Sequence, residues 1–366
     1  MAEKEQQQEI TEDVVQEVLD EKPRSILLGL ISQLRKGMDL HRVTLPTFIL
    51  EPRSMLERIT DFMIHPDIIL KTSQKEDELD RFLDVLKYFL SGFHTRPKGV
   101  KKPYNPVLGE FFRCKWEFED GSTSYYVGEQ VSHHPPISAF LYANPDNNLV
   151  IWGNLKPKSK FLGNSAATIM HGTSHLFFTD RPDEEYVIGN PNIYARGLLI
   201  GTMLLELGDK VSIECKKTGL MAEIEFKVKG FFTGTYNAIS CKVKRMSDNE
   251  TLKYVTGKWT ESMYIQDSKK GDKTLFLDTA TEPVRAKIVT CESEQDEYES
   301  RKLWANVTKA MLSRNLDLAT EEKDSIENNQ RHLAKLRDDD GIAWRPKFFV
   351  SDEKEDQFLF SDRKMY

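Results

Sequence analysis

Between Glu110 and Leu277 the chain is written in short runs rich in Val, Ile, Tyr, Phe and Trp, each broken by Gly, Asn, Asp or Pro. This punctuated pattern constrains the fold more than any other feature. Ala222-Glu223-Ile224-Glu225-Phe226-Lys227-Val228-Lys229 alternates strictly, apolar on one face and charged on the other, which is the period of a half-buried strand. Asn237 to Lys244 repeats the habit less cleanly. About a dozen such strands over one span imply an antiparallel meander curling into a large, near-closed β-barrel. About eight strands fill their own interior with side chains, and a larger number leaves a lumen.

The flanks follow a different period, so the expected class is α+β, mainly antiparallel β. Leu27, Leu30, Ile31, Leu34 and Met38 fall on one helical face, with Ser25 as N-cap and Gly37 as stop. Such a stripe suits packing on a core, and equally a lid that covers a cavity mouth. Residues 46–100 read as a helical segment, most clearly from Glu76 to Leu90. Helical periodicity returns over residues 292–350, through Leu303, Trp304, Val307, Met311, Ile326 and Leu333. The expected organisation is an acidic, disordered tail at 1–24 and a single domain over 25–350, followed by a tail at 351–366. Within the domain, 25–45 form the lid, 101–280 the barrel and 292–350 the C-terminal helical segment.

Composition narrows the function classes. A net charge of −7 disfavours general attraction to nucleic acid or to an anionic surface, so anion binding must come from local basic clusters. Four cysteines at 114, 215, 241 and 291 form no CxxC pair and no metal spacing, as suits a reducing cytosol. The acidic N-terminus carries no apolar signal stretch, and Leu198 to Leu205, the longest apolar run, is far short of a membrane span. A Gly-x-Ser-x-Gly elbow, a P-loop, a Cys-x5-Arg signature and a His-x-x-Glu-His helix are all missing. The sequence therefore predicts a cytoplasmic protein with no catalytic residue, no metal and no cofactor.

One short segment carries chemistry. Ser132-His133-His134-Pro135-Pro136 follows the β-favouring run Tyr125-Tyr126-Val127. Pro135 pushes His134 out of the helical region and Pro136 lacks a ladder N–H, so two imidazoles sit at a strand end. Adjacent strand residues point to opposite faces unless a bulge re-aims one, which favours two donors around a large anion over one metal ion. The plain alternative is a turn with two satisfied histidines.

The surrounding run, Glu129-Gln130-Val131-Ser132-His133-His134-Pro135-Pro136, resembles the signature of the oxysterol-binding-protein-related lipid transfer family. Lys101-Lys102-Pro103-Tyr104-Asn105-Pro106-Val107-Leu108-Gly109-Glu110 is similar to its KKPxNPxLGE segment, and Leu45-Pro46-Thr47-Phe48-Ile49-Leu50-Glu51 to the segment after its lid. Lys158-Ser159-Lys160-Phe161-Leu162-Gly163-Asn164-Ser165 and the helix from Glu321 to Arg337 match as well, so the resemblance spans roughly residues 25–350. The wording of LPTFIL, KKPYNP and KSKFLGNS looks closest to the branch that carries phosphatidylserine.

That resemblance implies a lidded lipid tunnel with two sets of contacts. Lys102, Asn105, His133, His134, Lys323, Glu327 and Arg331 would bind the head group of phosphatidylinositol 4-phosphate. By spacing alone, Lys323, Glu327 and Arg331 share one helix face and better suit an exposed charge ladder, an order that the resemblance reverses. Leu45, Thr47, Ile49, Lys158 and Ser159, with Lys102 and Asn105 shared, would bind phosphatidylserine. The implied partners are these two lipids as cargo, membranes touched transiently at endoplasmic reticulum and plasma membrane contact sites, and a separate tethering protein. The protein is expected to be a monomer. Sterol as the second cargo, a phosphoinositide-modifying enzyme and a lipid-sensing scaffold are the competing readings.

Overall fold

The computed structural model describes residues 36–38, 47–95, 101–198, 203–229, 234–352 and 357–361. The lid helix expected before Lys36 and the acidic tail lie outside the described residues, as does Leu45.

The first described strand is β1 (Leu50–Ser54), followed by a one-turn helix α1 (Met55–Arg58) and a series of 3-10 turns. Helix α2 (Glu78–Ser91) starts where Asp77 accepts a hydrogen bond from the Asp80 N–H, which supplies one of the orphan N–H groups of the first turn. Within residues 46–100 the main helix is α2. Before it the chain turns tightly at residues 59–63, 66–68 and 72–74 instead of forming a long helix. Strand β2 (Lys102–Tyr104) then pairs in parallel with β1, setting Leu50 opposite Lys102.

The next fourteen strands build one antiparallel sheet. They are β3 (Phe111–Glu117), β4 (Thr123–His133), β5 (Pro136–Asn144), β6 (Leu149–Phe161), β7 (Ser165–His171), β8 (Ser174–Phe178) and β9 (Glu185–Ile188). β10 (Asn192–Arg196), β11 (Leu204–Cys215), β12 (Leu220–Lys227), β13 (Ala238–Arg245), β14 (Thr251–Lys258), β15 (Ser262–Gln266) and β16 (Thr274–Asp278) complete it. The sheet forks and rejoins, because the two long strands each serve two neighbours. The first half of β6 pairs with β8 and its second half with β7. On β11, the start pairs with β10 and the end with β9.

Alternation explains which face each strand buries. Along β12, Leu220, Ala222, Ile224 and Phe226 are buried, while Glu223 and Lys227 are exposed. The inner face meets α2, whose Phe82, Val85, Leu86 and Leu90 join the main core with Trp116, Tyr142 and Phe226.

The expected near-closure is not made by a ladder between described strands, since the sheet runs from β3 to β16 without joining them. The chain after β16 returns to the edge of β3. Ile288 and Lys115 exchange backbone hydrogen bonds at 2.7 and 3.0 Å along the outer edge of β3, and the Arg285 N–H donates to the Ile64 carbonyl.

Three helices follow the sheet: α3 (Ser300–Leu303), α4 (Ala305–Leu312) and α5 (Leu316–Asp339). The end of the chain differs from the expected tail. Strands β17 (Phe349–Asp352) and β18 (Gln357–Phe360) form an antiparallel hairpin against β5 and β6. Its anchors are far away in sequence: the backbone N–H groups of Lys347 and Phe348 donate to the Glu129 carboxylate at 2.6 and 2.8 Å. Asn154 and the Phe358 backbone exchange two further bonds. Four-residue strands carry too little local pattern to reveal such a hairpin, because long-range contacts specify it.

Candidate functional site

The site grows from two irregularities in the sheet and one helix. The first is the end of β4. Its register against β5 shifts between Gln130 and Ser132, a bulge that re-aims the following side chains. The bulge is held by its own motif: Gln130 Nε2 donates to the Ser132 carbonyl at 2.7 Å, and Ser138 Oγ donates to Gln130 Oε1 at 2.6 Å. Ser132 Oγ closes the turn by donating to the Pro135 carbonyl at 2.7 Å, across a cis His134–Pro135 bond. As a result the two imidazoles do not diverge to opposite faces. They stand edge to face with centroids 4.6 Å apart, His134 exposed and His133 half-buried.

The second irregularity is the loop between β2 and β3. Lys102 is half-buried on β2, Asn105 is exposed and Pro106 is buried. The loop is fastened by Glu110, a fully buried carboxylate. Glu110 accepts from Ser54 Oγ, from Ser300 Oγ at 2.7 Å, from Trp304 Nε1 at 2.9 Å and from the Val107 N–H at 3.0 Å. Burial pushes its pKa up despite these four donors. Beside it Tyr104 stacks on Trp304 at 4.7 Å and bonds Thr308 at 3.0 Å, joining the loop to α3 and α4.

Helix α5 supplies the third wall. Lys323, buried to 9% exposure, pairs with Glu327 at 2.7 Å, and Arg331 reaches the other oxygen of Glu327 at 3.4 Å. The ladder expected from spacing is therefore present, but it does not simply face solvent. Burial pushes the pKa of Lys102 down, the neighbouring Lys323 pushes it further, and Glu327 opposes both. Burial likewise lowers His133 to about 4, assisted by His134 and Arg331 and opposed by Glu327 and a hydrogen bond to the Pro106 backbone. Lys102, His133, His134, Lys323, Glu327 and Arg331 thus share one electrostatic neighbourhood. Three cations face one carboxylate, a surplus of two positive charges.

His133 carries a further signal. Its Nδ1 is buried with no hydrogen-bond partner.

The residues expected for the second ligand are less concentrated. Thr47 is buried and is engaged by α5, with its Oγ1 donating to the Leu316 carbonyl at 3.4 Å and lying 3.2 Å from Thr320 Oγ1. Ile49 is half-buried in the same 3-10 turn. Lys158 is exposed and Ser159 half-buried on the last part of β6, where Ser159 Oγ sits 3.2 Å from Thr168 Oγ1. This end of β6 also holds the chain leaving the expected lid, for the Gly37 N–H donates to the Phe161 carbonyl at 2.7 Å and the Phe161 N–H to Met38 at 3.0 Å. No ion pair links Lys158 to the clamp among the described residues.

Glu110, Glu129 and Gln130 are the supports that sequence reasoning quoted within motifs without assigning a role. Their signal was available: acids written into runs as apolar as Val107-Leu108-Gly109-Glu110-Phe111-Phe112 have to be satisfied internally.

The forked antiparallel sheet, its bulged double-histidine exit and the Lys323–Glu327–Arg331 face of α5 together form the candidate site. The family model described as oxysterol-binding protein matches residues 29–366. The oxysterol-binding protein-like protein OBPa of Candida albicans is 50% identical over 332 residues, covering 90% of this chain and 76% of that protein. Oxysterol-binding protein homolog 6 of Saccharomyces cerevisiae is 47% identical over 347 residues, covering 93% and 76%. The chain belongs to the oxysterol-binding protein family, a family of lipid-binding and lipid-transfer proteins. Among solved structures, the Osh1 ORD domain in complex with cholesterol has the same fold, with a TM-score of 0.76, 23% identity, and coverage of 96% of this chain and 90% of that one. The Osh3 ORD of Saccharomyces cerevisiae in complex with PI(4)P gives a TM-score of 0.69 at 21% identity, covering 92% and 89%. Among the described residues, no helix is long and apolar enough to cross a membrane.

Proposed function

We propose that this protein is a non-catalytic lipid exchanger that carries phosphatidylserine one way and phosphatidylinositol 4-phosphate the other, one molecule at a time in a lidded tunnel. The observation that carries the reading is the clamp itself. Lys102, Lys323 and Arg331 surround a single carboxylate, and the two histidines stand beside them. Arg331 is exposed, but Lys102 and Lys323 are two partly buried cations against one carboxylate, which is costly unless an anion joins them, and a phosphate monoester supplies about −1.5 to −2 charges and three acceptor oxygens. Lys and Arg supply charge and forked donors, Glu327 orients them and accepts from inositol hydroxyls, and the histidines donate to the 4-phosphate. Asn105, exposed on its proline-bracketed loop, completes the set.

The serine lipid takes the other side of the mouth, bordered by Leu45, Thr47 and Ile49, with Lys158 and Ser159 at its head group and Lys102 and Asn105 shared. Pulling a two-chain lipid from a bilayer exposes some thirty methylenes at about 0.8 kcal/mol each, so an enclosed tunnel with a cover is needed. In this reading the protein is a cytosolic monomer touching membranes only transiently at endoplasmic reticulum and plasma membrane contacts, brought there by a separate tether. Sterol as second cargo is the alternative, favoured by the fold shared with the cholesterol-bound Osh1 domain.

Vesicle transfer with lipid-specific fluorescent sensors tests this. His133→Ala with His134→Ala should weaken phosphatidylinositol 4-phosphate extraction by at least about a hundredfold, since charge-assisted bonds contribute about 1.5–3 kcal/mol each. Leu45→Asp should block phosphatidylserine uptake and spare the phosphoinositide. Wild-type extraction by the double-histidine variant would refute the clamp. Sterol uptake without phosphatidylserine would establish the alternative, and phosphate release would reveal an enzyme.

A further inference from the structure

Most exposed apolar side chains of this protein are scattered singly, which is normal for a folded surface. One group is not. Leu312, Leu316 and Leu318 are 72%, 38% and 41% exposed within seven residues, at the turn joining α4 to α5. The turn is not a loose loop. The Arg314 N–H donates to the Met311 carbonyl and the Asn315 N–H to Ala310, both at 2.9 Å, and Arg314 takes a left-handed φ of 57°. Asn315 caps α5 by accepting from the Leu318 N–H at 3.2 Å. Below it, Met311 and Ala310 are anchored, the former receiving the Tyr104 hydroxyl and the latter buried. The chain therefore holds three leucines rigidly in water.

Position says what covers them. The Leu316 carbonyl accepts from Thr47, so the turn is fixed to the segment that follows the expected lid. Helix α5, which begins at Leu316, carries Lys323, Glu327 and Arg331, about 16 Å further along its axis at Glu327. Charge alone does not hold such a surface to a membrane. The chain is −7 overall, and within three residues of the leucines exposed Lys309 and Arg314 face exposed Asp317 and Glu321, a local balance of zero. Burial of the leucines in hydrocarbon must supply most of the attraction, with the two cations meeting lipid phosphates.

We infer that the α4–α5 turn is a membrane-docking surface that inserts Leu312, Leu316 and Leu318 into the leaflet from which lipid is taken. This rests on membership of a lipid-transfer family and on the turn's own exposure, and it is independent of which second lipid is carried.

The test uses the full chain with Cys291→Ser, leaving the three buried cysteines. Leu312→Cys bearing an NBD dye should brighten and shift to the blue on adding phosphatidylcholine vesicles. The same dye on Leu275→Cys, a 58% exposed site on the edge strand β16, should not. An unchanged signal at 312, or equal responses at both positions, overturns the inference. A blue shift that rises with protein concentration in the absence of vesicles marks a self-association surface and also overturns it. Separately, Leu312→Asp with Leu318→Asp should lower vesicle flotation by at least about tenfold. Its thermal midpoint and its binding of a water-soluble short-chain phosphatidylinositol 4-phosphate should match the parent. Undiminished flotation refutes docking. If the parent itself fails to bind the short-chain lipid, the cargo reading fails while the dye result still decides the docking surface.

Discussion

Replacing Glu110 should show how much of the clamp depends on one buried carboxylate. Its four donors divide into two kinds. Ser54 and Ser300 are hydroxyls that rotate, and Ser300 Oγ already has the Phe111 carbonyl within 3.2 Å. The Trp304 indole N–H and the Val107 amide N–H are fixed and cannot accept instead. Glu110→Ala strands both, at about 1–3 kcal/mol each, and leaves a cavity, so we expect a loss of about 4 kcal/mol. Glu110→Gln should behave differently. Its carbonyl can face the two N–H groups while its NH2 faces the serines, which turn to accept. Burial already disfavours the charge at this position, so removing it brings relief as well. We expect about 1 kcal/mol for Gln, a gap from Ala of about two powers of ten in the folding equilibrium. Guanidinium unfolding followed by tryptophan fluorescence measures both variants, and phosphoinositide extraction by the folded fraction reports on the clamp. An alanine variant within 1 kcal/mol of the parent by the sum of these costs, or a glutamine variant as unstable as alanine, would refute the reasoning; the latter would mean that the charge itself is required.

The His133 imidazole should titrate near pH 4 in the free protein, by NMR, and move upward when a soluble phosphoinositide is added, because an adjacent phosphate favours the imidazolium. The sign follows from that direction. A pKa depressed by folding means the native state resists protonation, so His133 destabilises the unliganded fold as pH falls below the ordinary histidine value, until about 4. A His133 that titrates normally and ignores ligand would remove it from the clamp. Glu129→Ala should free the C-terminal hairpin by removing the acceptor of the Lys347 and Phe348 N–H groups, so limited proteolysis should cut near residue 347 first while the sheet persists. Unchanged protection would place the hairpin's anchorage elsewhere.

The sequence by itself determined the large antiparallel sheet, because period-2 burial is local. Ala222, Ile224 and Phe226 reveal their shared buried face in eight residues of text. It determined the 3.6-residue periodicity of the chain around α2 and α5, and, through motif resemblance, the membership of the family. Only the tertiary structure decided the forked pairing of β6 and β11, since nothing local tells a strand to change partner midway. The C-terminal hairpin was equally invisible, its anchors Glu129 and Asn154 lying some two hundred residues away. The clamp divides in the same manner. Spacing put Lys323, Glu327 and Arg331 on one helix face, but that face could as well have met water. What gathers it into a candidate site is the bulge that turns His133 and His134 together, and the buried Glu110 that pins the Lys102 loop to α3 and α4. Residues more than two hundred positions apart share one charge environment there, and only the folded chain brings them close enough to do so.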